Sequence, residues 1–289
     1  MSSHTRRHAP RAARRSSRAT LLTCVVTLVT VLPTALGAQV VVERPEWRAP
    51  FDSAGVTGTF AIRRVGSDTT EVHDLSRART PFIPASTFKI PNSIIALELG
   101  IVRDEHQRFP FTWPRQEIEA WNRDHTFASA LAASVVPVYQ QIAREVGEER
   151  YREWLARLDY GNRNPGGLVD HFWLDGDLRI SALEQLDFLE RLATMRLPVS
   201  ERSQRIVHGM MRQGWSDDCA TAYAKTGLSG VAARTDVSNV GWYVGWVETG
   251  GDQWVFALNL DSSKPGASAT RIPLARAMLE RAGAGCGRE

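Results

Sequence analysis

Residues that favour β-strands lie at both ends of this chain, and helical patterns lie between them. Near the amino end, residues 58–64 and 71–75 flank Gly66-Ser67-Asp68 and predict a hairpin. Strands rich in aromatic and β-branched residues are predicted near the carboxyl end, at 220–228, 239–248 and 253–260. This arrangement predicts an α/β fold of the α+β type, with one antiparallel sheet and a helical insertion between its strands.

Helical periodicity dominates the rest of the chain beyond the amino-terminal segment. Helices are predicted at 84–99, 181–196, 200–212 and 272–281, and helical periodicity is the main pattern over 117–158. Pro91 should kink or restart the first of these helices, and Gly100 should end it. Residues 160–176 read as a long irregular segment. We expect the terminal helices to flank the sheet and an all-helical lobe to occupy roughly residues 100–200.

The first predicted helix carries a serine and a lysine at a spacing that lets their side chains meet. Ser86 and Lys89 are three residues apart, so they share one face of a helix. A lysine amine beside a serine hydroxyl can serve as the base that makes the hydroxyl nucleophilic. Unpaired backbone N–H groups at a helix start also favour developing negative charge at Ser86. Read alone, Ser86 could instead be a helix cap and Lys89 a surface residue.

The charge of the chain is concentrated at its amino end. The formal net charge is +3, but residues 1–20 hold six arginines and no acid, and subtracting them leaves about −3. This balance predicts no nucleic-acid partner. The basic stretch precedes an apolar run at 21–32 and small residues near Gly37 and Ala38, the pattern of a secretory signal peptide over 1–38.

Export to the periplasm and cleavage near Gly37 or Ala38 are therefore expected. A retained membrane anchor is the alternative, although an apolar run this short is brief for a spanning helix. Arg14-Arg15 leaves twin-arginine export open. After cleavage, Cys219 and Cys286 remain, and whether they form a disulfide in an oxidising compartment stays open.

The remaining motifs exclude two classes of site. The histidines at 73, 106, 125, 171 and 208 are scattered and form no HxxxH or HxH pair, so no metal site is predicted. The chain contains neither GxxxxGK[ST] nor GxGxxG in a strand–turn–helix context, so no nucleotide site is predicted.

Six short strings in one order carry a family resemblance. They are Pro84-Ala85-Ser86-Thr87-Phe88-Lys89, Ser134-Val135-Val136, Tyr160-Gly161-Asn162, Phe172-Trp173-Leu174, Lys225-Thr226-Gly227 and Gly241-Trp242-Tyr243-Val244-Gly245-Trp246. With these strings the chain resembles the class D (oxacillinase-type) serine β-lactamases over nearly its whole mature length. The resemblance implies a single catalytic domain at 39–289 with the serine β-lactamase and penicillin-binding transpeptidase fold.

The resemblance also implies roles for four catalytic residues. Ser86 would be the nucleophile, and Ser134 with Lys225 would pass a proton to the leaving lactam nitrogen. Lys89 would be the general base, because burial among apolar side chains lowers the pKa of an amine. The neutral amine would then take up carbon dioxide, supplied as bicarbonate, to become N6-carboxylated. No other cofactor is expected.

Further residues are assigned to substrate and water by the same resemblance. Thr226 and Arg271 would bind the substrate carboxylate, and Gly227 would let the substrate approach the strand closely. The backbone N–H groups of Ser86 and Leu228 would form an oxyanion hole. Trp173 would donate a hydrogen bond to the carboxylated lysine. Val136 and Leu174 would form a gate that admits the water needed for deacylation.

The predicted activity is hydrolysis of the β-lactam ring of penicillins, conferring β-lactam resistance. A β-lactam sensor domain and a penicillin-binding transpeptidase, both with a long-lived acyl-enzyme, are the alternatives. The substrate spectrum, which depends on loops near Trp113 and Trp215, stays open. The partner is a small-molecule β-lactam, without stable membrane insertion after cleavage, and the protein is expected to be a monomer or homodimer.

Overall fold

The computed structural model describes residues 39–214, 220–229 and 239–285, together with Met1, Ser2 and His4. The chain divides into residues 1–37 and residues 38–289, and the description below concerns the second unit. The predicted signal peptide, Trp215 and the possible Cys219–Cys286 disulfide lie outside the described residues.

One twisted sheet forms the frame of the protein. Its described strands are β1 (Val40–Glu43), β2 (Gly58–Arg64), β3 (Thr69–His73), β6 (Arg212–Gln213), β7 (Ala220–Leu228), β8 (Val240–Thr249) and β9 (Asp252–Asp261). They lie in the order β1-β3-β2-β9-β8-β7-β6. The β1–β3 pair is parallel and the other pairs are antiparallel, so the expected antiparallel sheet carries one parallel edge strand.

The helices and two short strands complete the described elements. They are α1 (Arg48–Ala54), α2 (Leu75–Arg79), α3 (Lys89–Glu98), β4 (Arg108–Phe109), β5 (His125–Thr126), α4 (Phe127–Ala132), α5 (Val136–Val146), α6 (Glu148–Leu158), α7 (Ala182–Ala193), α8 (Glu201–Met210) and α9 (Arg271–Arg281). Short 3-10 turns lie at Pro45–Trp47, Ala85–Phe88, Glu119–Trp121 and Ala267–Thr270. The mixed α/β fold predicted from the sequence is confirmed.

The helical periodicity over 117–158 corresponds to three helices, α4, α5 and α6. The segment breaks at β5, where Thr126 accepts the Ser129 backbone N–H and caps α4. Pro137 stands in the first turn of α5, and Gly147, with φ +79°, separates α5 from α6. The predicted helix over 200–212 ends early, at Met210, because Arg212 and Gln213 pair with β7 instead.

The sheet has an apolar core on each face. On one face Trp47 and Phe51, from the amino-terminal part of the chain, pack with Leu274 and Met278 of α9. The other face packs against α7, and the larger apolar cluster there continues into the helical region and includes Phe88 and Ile90. The turn and helix that carry Ser86 and Lys89 are therefore held between the sheet and the helical region.

Candidate active site

Ser86 lies in a 3-10 turn, Ala85–Phe88, that runs directly into α3. Pro84 precedes the turn, and its carbonyl accepts both the backbone N–H of Thr87 at 3.2 Å and its hydroxyl at 2.7 Å. Gln185 of α7 donates its side-chain N–H to Thr87 Oγ1 at 3.0 Å. Ala85 adopts φ +48°, a left-handed conformation that non-glycine residues rarely take. The residue directly before Ser86 is therefore held in a strained conformation, a feature that clusters at active sites.

Lys89 is wholly buried beside the serine. Its Nζ lies 2.8 Å from Ser86 Oγ. Burial, and second the positive charge of Lys225, hold the pKa of Lys89 well below its usual range. A lowered pKa increases the neutral-amine fraction of Lys89, and a neutral amine can take the proton of a neighbouring hydroxyl. The three-residue spacing in the sequence therefore brings the Lys89 amine within hydrogen-bond distance of the Ser86 hydroxyl.

An aromatic cluster surrounds Phe88, the residue directly before Lys89. Phe88 stacks on Trp173 with ring centroids 5.5 Å apart and meets Phe172 edge-on at 5.0 Å. Both Trp173 and Phe88 are fully buried, whereas Val136 and Leu174 are partly exposed. The indole Nε1 of Trp173 is buried and has no hydrogen-bond acceptor. An orphaned buried donor of this kind is uncommon and marks a place where a polar group could be accommodated.

Ser134 and Lys225 form the second serine–lysine pair. Lys225 Nζ donates to Ser134 Oγ at 3.0 Å and to the Thr226 carbonyl at 3.0 Å. Burial, and second the charge of Arg271, lower the pKa of Lys225 to about 7. Ser134 lies between α4 and α5 with φ +57°. A lysine that titrates near neutrality can hold or release a proton next to the Ser134 hydroxyl.

The Lys225-Thr226-Gly227 segment lies along an open edge of the sheet. Among the described strands, β6 covers β7 only at Ala222 and Tyr223, so Lys225 and the residues after it have no β6 partner. Thr226 and Leu228 are partly exposed. A Cβ on Gly227 would lie 3.0 Å from the Pro84 carbonyl oxygen and 3.1 Å from Thr87 Cγ2. Thus the chain itself, in the turn around Ser86, approaches Gly227 closely.

Arg271 begins α9 and lies against the end of β7. Its Nη1 donates to the Gly227 carbonyl, and its Nε donates to the Ser268 carbonyl at 2.6 Å. Burial lowers the pKa of Arg271, although a guanidinium remains charged. The arginine expected from the resemblance is therefore beside the Lys225-Thr226-Gly227 edge.

Sequence reasoning missed residues that contact Lys89 and Thr87. Tyr139 of α5 places its ring 5.3 Å from Lys89 Nζ, and Ser93 hydrogen-bonds both the Lys89 carbonyl and the Tyr139 hydroxyl. Gln185, which supports Thr87, was also missed. Ser93 follows Lys89 by four residues, a spacing at which serine often bonds the preceding carbonyl. Tyr139 follows Val136 by three, which puts both on one side of α5.

Two features of the described residues bear on the expected partners. The residues that the structure describes contain no cluster of three or more His, Cys, Asp or Glu that could hold a metal ion. Within the same ranges, none of the helices is both long and apolar enough to cross a membrane.

The site contains a serine at a helix start with a buried lysine beside it, and a second serine–lysine pair next to a strand edge. This combination is typical of the penicillin-binding class of serine acyl-transfer proteins. Residues 62–280 match the family described as the penicillin binding protein transpeptidase domain. The chain is 46% identical over 219 residues to β-lactamase OXA-48 of Klebsiella pneumoniae, covering 76% of this chain and 81% of that one.

Two further comparisons agree with this relationship. β-Lactamase OXA-10 of Pseudomonas aeruginosa is 42% identical over 231 residues, with 79% of this chain and 85% of that one covered. The crystal structure of FUS-1 (OXA-85), a class D β-lactamase from Fusobacterium nucleatum subsp. polymorphum, matches with TM-score 0.78 and 33% identity, covering 84% of this chain and 99% of that one. The chain belongs to the class D, or OXA-type, β-lactamase family.

Proposed function

We propose that this protein hydrolyses the β-lactam ring of penicillins through an acyl-enzyme on Ser86. The observation that carries the proposal is the 2.8 Å contact between Ser86 Oγ and Nζ of the wholly buried Lys89. Membership of the class D family supports the substrate class, because the relatives are named β-lactamases.

Acylation begins when Ser86 Oγ attacks the lactam carbonyl and the Lys89 side chain takes its proton. The carbonyl oxygen becomes an oxyanion, for which the backbone N–H groups of Ser86 and Leu228 are the proposed donors. The C–N bond of the ring then breaks, and its nitrogen takes a proton from Ser134. Lys225, 3.0 Å from Ser134 Oγ, restores that proton.

Carbon dioxide fits the environment of Lys89. Only a neutral amine adds carbon dioxide, and burial lowers the pKa of Lys89 and so favours the neutral form. The buried Nε1 of Trp173 lacks an acceptor, so it can donate to an anion in this pocket. Bound to Lys89 as an N6-carboxylate, carbon dioxide supplies a carboxylate base for both acylation and deacylation. Val136 and Leu174, each partly exposed, are proposed to limit the entry of the deacylating water.

The carboxylate of the substrate is proposed to bind at the free edge of β7. Thr226 offers a partly exposed hydroxyl there, and Arg271 lies beside it at the start of α9. A guanidinium can bind a carboxylate through two parallel N–H donors. This contact would orient the lactam carbonyl toward Ser86 Oγ.

The experiment is steady-state hydrolysis of benzylpenicillin and a chromogenic cephalosporin by protein purified after expression of the full chain. Each assay is run in degassed buffer and with added bicarbonate. We expect many turnovers per molecule and faster turnover with bicarbonate. Consumption of one equivalent followed by arrest would contradict the proposal and would identify a sensor or a transpeptidase. Ser86→Ala is the control for background hydrolysis.

We further propose export to the periplasm with cleavage near Gly37 or Ala38, which would leave residues 39–289 as the catalytic domain. Amino-terminal sequencing of protein from the periplasmic fraction measures the cleavage site. Retention of the full chain in the membrane fraction would contradict the proposal. Light scattering on the same sample decides between a monomer and a homodimer, and the resistance of the expressing cells to penicillin tests the biological consequence.

A further inference from the structure

Three buried contacts connect the backbone of Lys89 to its own side chain. Ser93 Oγ donates to the Lys89 carbonyl at 2.7 Å, and Ser93 Oγ lies 2.9 Å from the Tyr139 hydroxyl. The ring of Tyr139 then covers Lys89 Nζ, with 5.3 Å between Nζ and the ring centroid. Two residues, one on α3 and one on α5, therefore enclose the proposed base.

The number of available protons determines which group donates in each of these hydrogen bonds. A serine hydroxyl has one proton, and that of Ser93 goes to the Lys89 carbonyl. The Tyr139 hydroxyl must therefore donate to Ser93 Oγ. All three side chains are fully buried, so water does not compete for these bonds. The hydroxyl bond consequently anchors the Tyr139 ring at one place in the pocket.

Two opposing effects of the ring act on Lys89. The face of an aromatic ring attracts a cation, which would favour the ammonium form. The ring also excludes water from Nζ, and desolvation favours the neutral amine. Burial is the main cause of the lowered pKa of Lys89, and the Tyr139 ring over Nζ contributes to that burial. Because phenylalanine has the same ring face, removal of the hydroxyl alone tests the anchoring.

We propose that Ser93 and Tyr139 are positioning residues that set how readily Lys89 takes up carbon dioxide, by anchoring the Tyr139 ring over Nζ. This inference rests on the proposed function, in which Lys89 is carboxylated. Uptake forms one N–C bond between Nζ and carbon dioxide and releases one amine proton to solvent. An unanchored ring admits water, which stabilises the ammonium form, and an ammonium has no lone pair for this bond.

The experiment uses protein purified after expression of the full chain. It is titrated with ¹³C-labelled bicarbonate at constant pH, and NMR measures the carbamate signal of Lys89. Tyr139→Phe removes the donor of the hydrogen bond between Tyr139 and Ser93, and Ser93→Ala removes its acceptor. We expect the bicarbonate midpoint to rise about fivefold in each variant, the effect of losing one buried hydrogen bond. The double variant should show no larger shift, because both substitutions remove the same contact. At saturating bicarbonate, kcat and KM for penicillin should stay close to the original values.

Tyr151→Phe is the matched control. Tyr151 is also fully buried and donates its hydroxyl to Asn92 Oδ1 of α3 at 2.8 Å, but Lys89 Nζ contacts Tyr139 rather than Tyr151. Its bicarbonate midpoint should be unchanged even if its melting temperature falls. An unchanged midpoint in Tyr139→Phe and Ser93→Ala, or an equal shift in the control, would overturn the inference.

The two proposals fail differently. Suppose that the unaltered protein hydrolyses penicillin, and that the two variants have the same bicarbonate midpoint as the unaltered protein. Only the inference on Ser93 and Tyr139 is then wrong. If the unaltered protein gives the carbamate signal without turnover, the proposed hydrolysis is wrong and the midpoints still decide the inference. A complete lack of carbamate signal in the unaltered protein would overturn the base assignment and this inference together.

Discussion

Lys225 Nζ and Ser134 Oγ lie 3.0 Å apart although 91 residues separate them in the chain. Lys225 stands on the open edge of β7, and Ser134 occupies the strained link between α4 and α5. The sheet and the helical region thus each contribute one member of the pair. Because Lys225 also lowers the pKa of Lys89, the two serine–lysine pairs are electrostatically coupled.

Lys225→Met should stabilise the protein at low pH. The pKa of Lys225 is about 7 in the folded protein and about 10.4 when unfolded. Well below pH 7 both states carry the proton, so the folded state bears the full penalty of a buried cation. Between these values the unfolded state binds more protons, and stability rises with pH. Chemical denaturation from pH 6 to 9 should show the variant more stable by a few kcal/mol at pH 6, with the difference shrinking toward pH 9. A pH-independent difference would contradict the buried-cation account.

Two substitutions at Ser134 distinguish the role of its hydroxyl in catalysis from the effect of its backbone conformation on stability. Ser134→Ala and Ser134→Gly should both reduce kcat/KM for penicillin about 10²–10⁴-fold, because both remove the proposed proton relay. Since Ser134 has φ +57°, the glycine variant should be more stable than the alanine variant by about 1 kcal/mol. Kinetics and thermal melts of the pair provide the measurement. Near-original activity of the alanine variant would remove Ser134 from the mechanism.

Gly227→Ala should impair catalysis through geometry. The added Cβ would meet the Pro84 carbonyl at 3.0 Å and Thr87 Cγ2 at 3.1 Å, pushing β7 away from the turn that carries Ser86. A displacement of this kind should reduce kcat/KM about 10–100-fold. Gly209→Ala on α8 is the control, since its Cβ would meet nothing within 4 Å. Equal kinetics of the two alanine variants would contradict the argument.

His171→Ala should slow deacylation. His171 Nδ1 donates to Asp170 Oδ1 at 2.8 Å, and Gln140 donates to His171 Nε2 at 3.0 Å. Arg144, one turn beyond Gln140 on α5, pairs with Asp170 at 2.6 Å. This group fastens the loop that continues into Trp173 and Leu174.

With a loosened loop we expect kcat and KM to fall together by about threefold to tenfold while kcat/KM is maintained, the pattern of a slower second step. Pre-steady-state measurement of acyl-enzyme accumulation checks this expectation. Arg152→Ala removes an exposed α6 ion pair and serves as control. A fall in kcat/KM alone would place the effect on acylation instead.

The strands with the strongest patterns were predictable from sequence. The bounds of β8 lie within one residue of the prediction, since aromatic and β-branched residues dominate that stretch. In contrast, β1 was not predicted. Val40–Glu43 is short, and its parallel pairing with β3 depends on a partner about thirty residues away. Local pattern also could not show that residues 117–158 are broken at β5.

The predictable part of the site is the part that lies on one helical turn. The Ser86–Lys89 contact follows from their spacing, and the structure has it at 2.8 Å. The proximity of Ser134 and Lys225 required the family resemblance, because no local rule joins a helical link to a distant strand. Tyr139 was missed for the same reason, since its contact with Lys89 depends on how α5 packs on α3.

Rapid-quench mass spectrometry during benzylpenicillin hydrolysis tests the central claim most directly. We expect an adduct with the mass of the intact penicillin, mapped to Ser86, that forms within one turnover and disappears when the substrate is consumed. An adduct that persists after the substrate is gone would contradict hydrolysis by this site. Turnover without any adduct on Ser86 would contradict the assignment of Ser86 as the nucleophile.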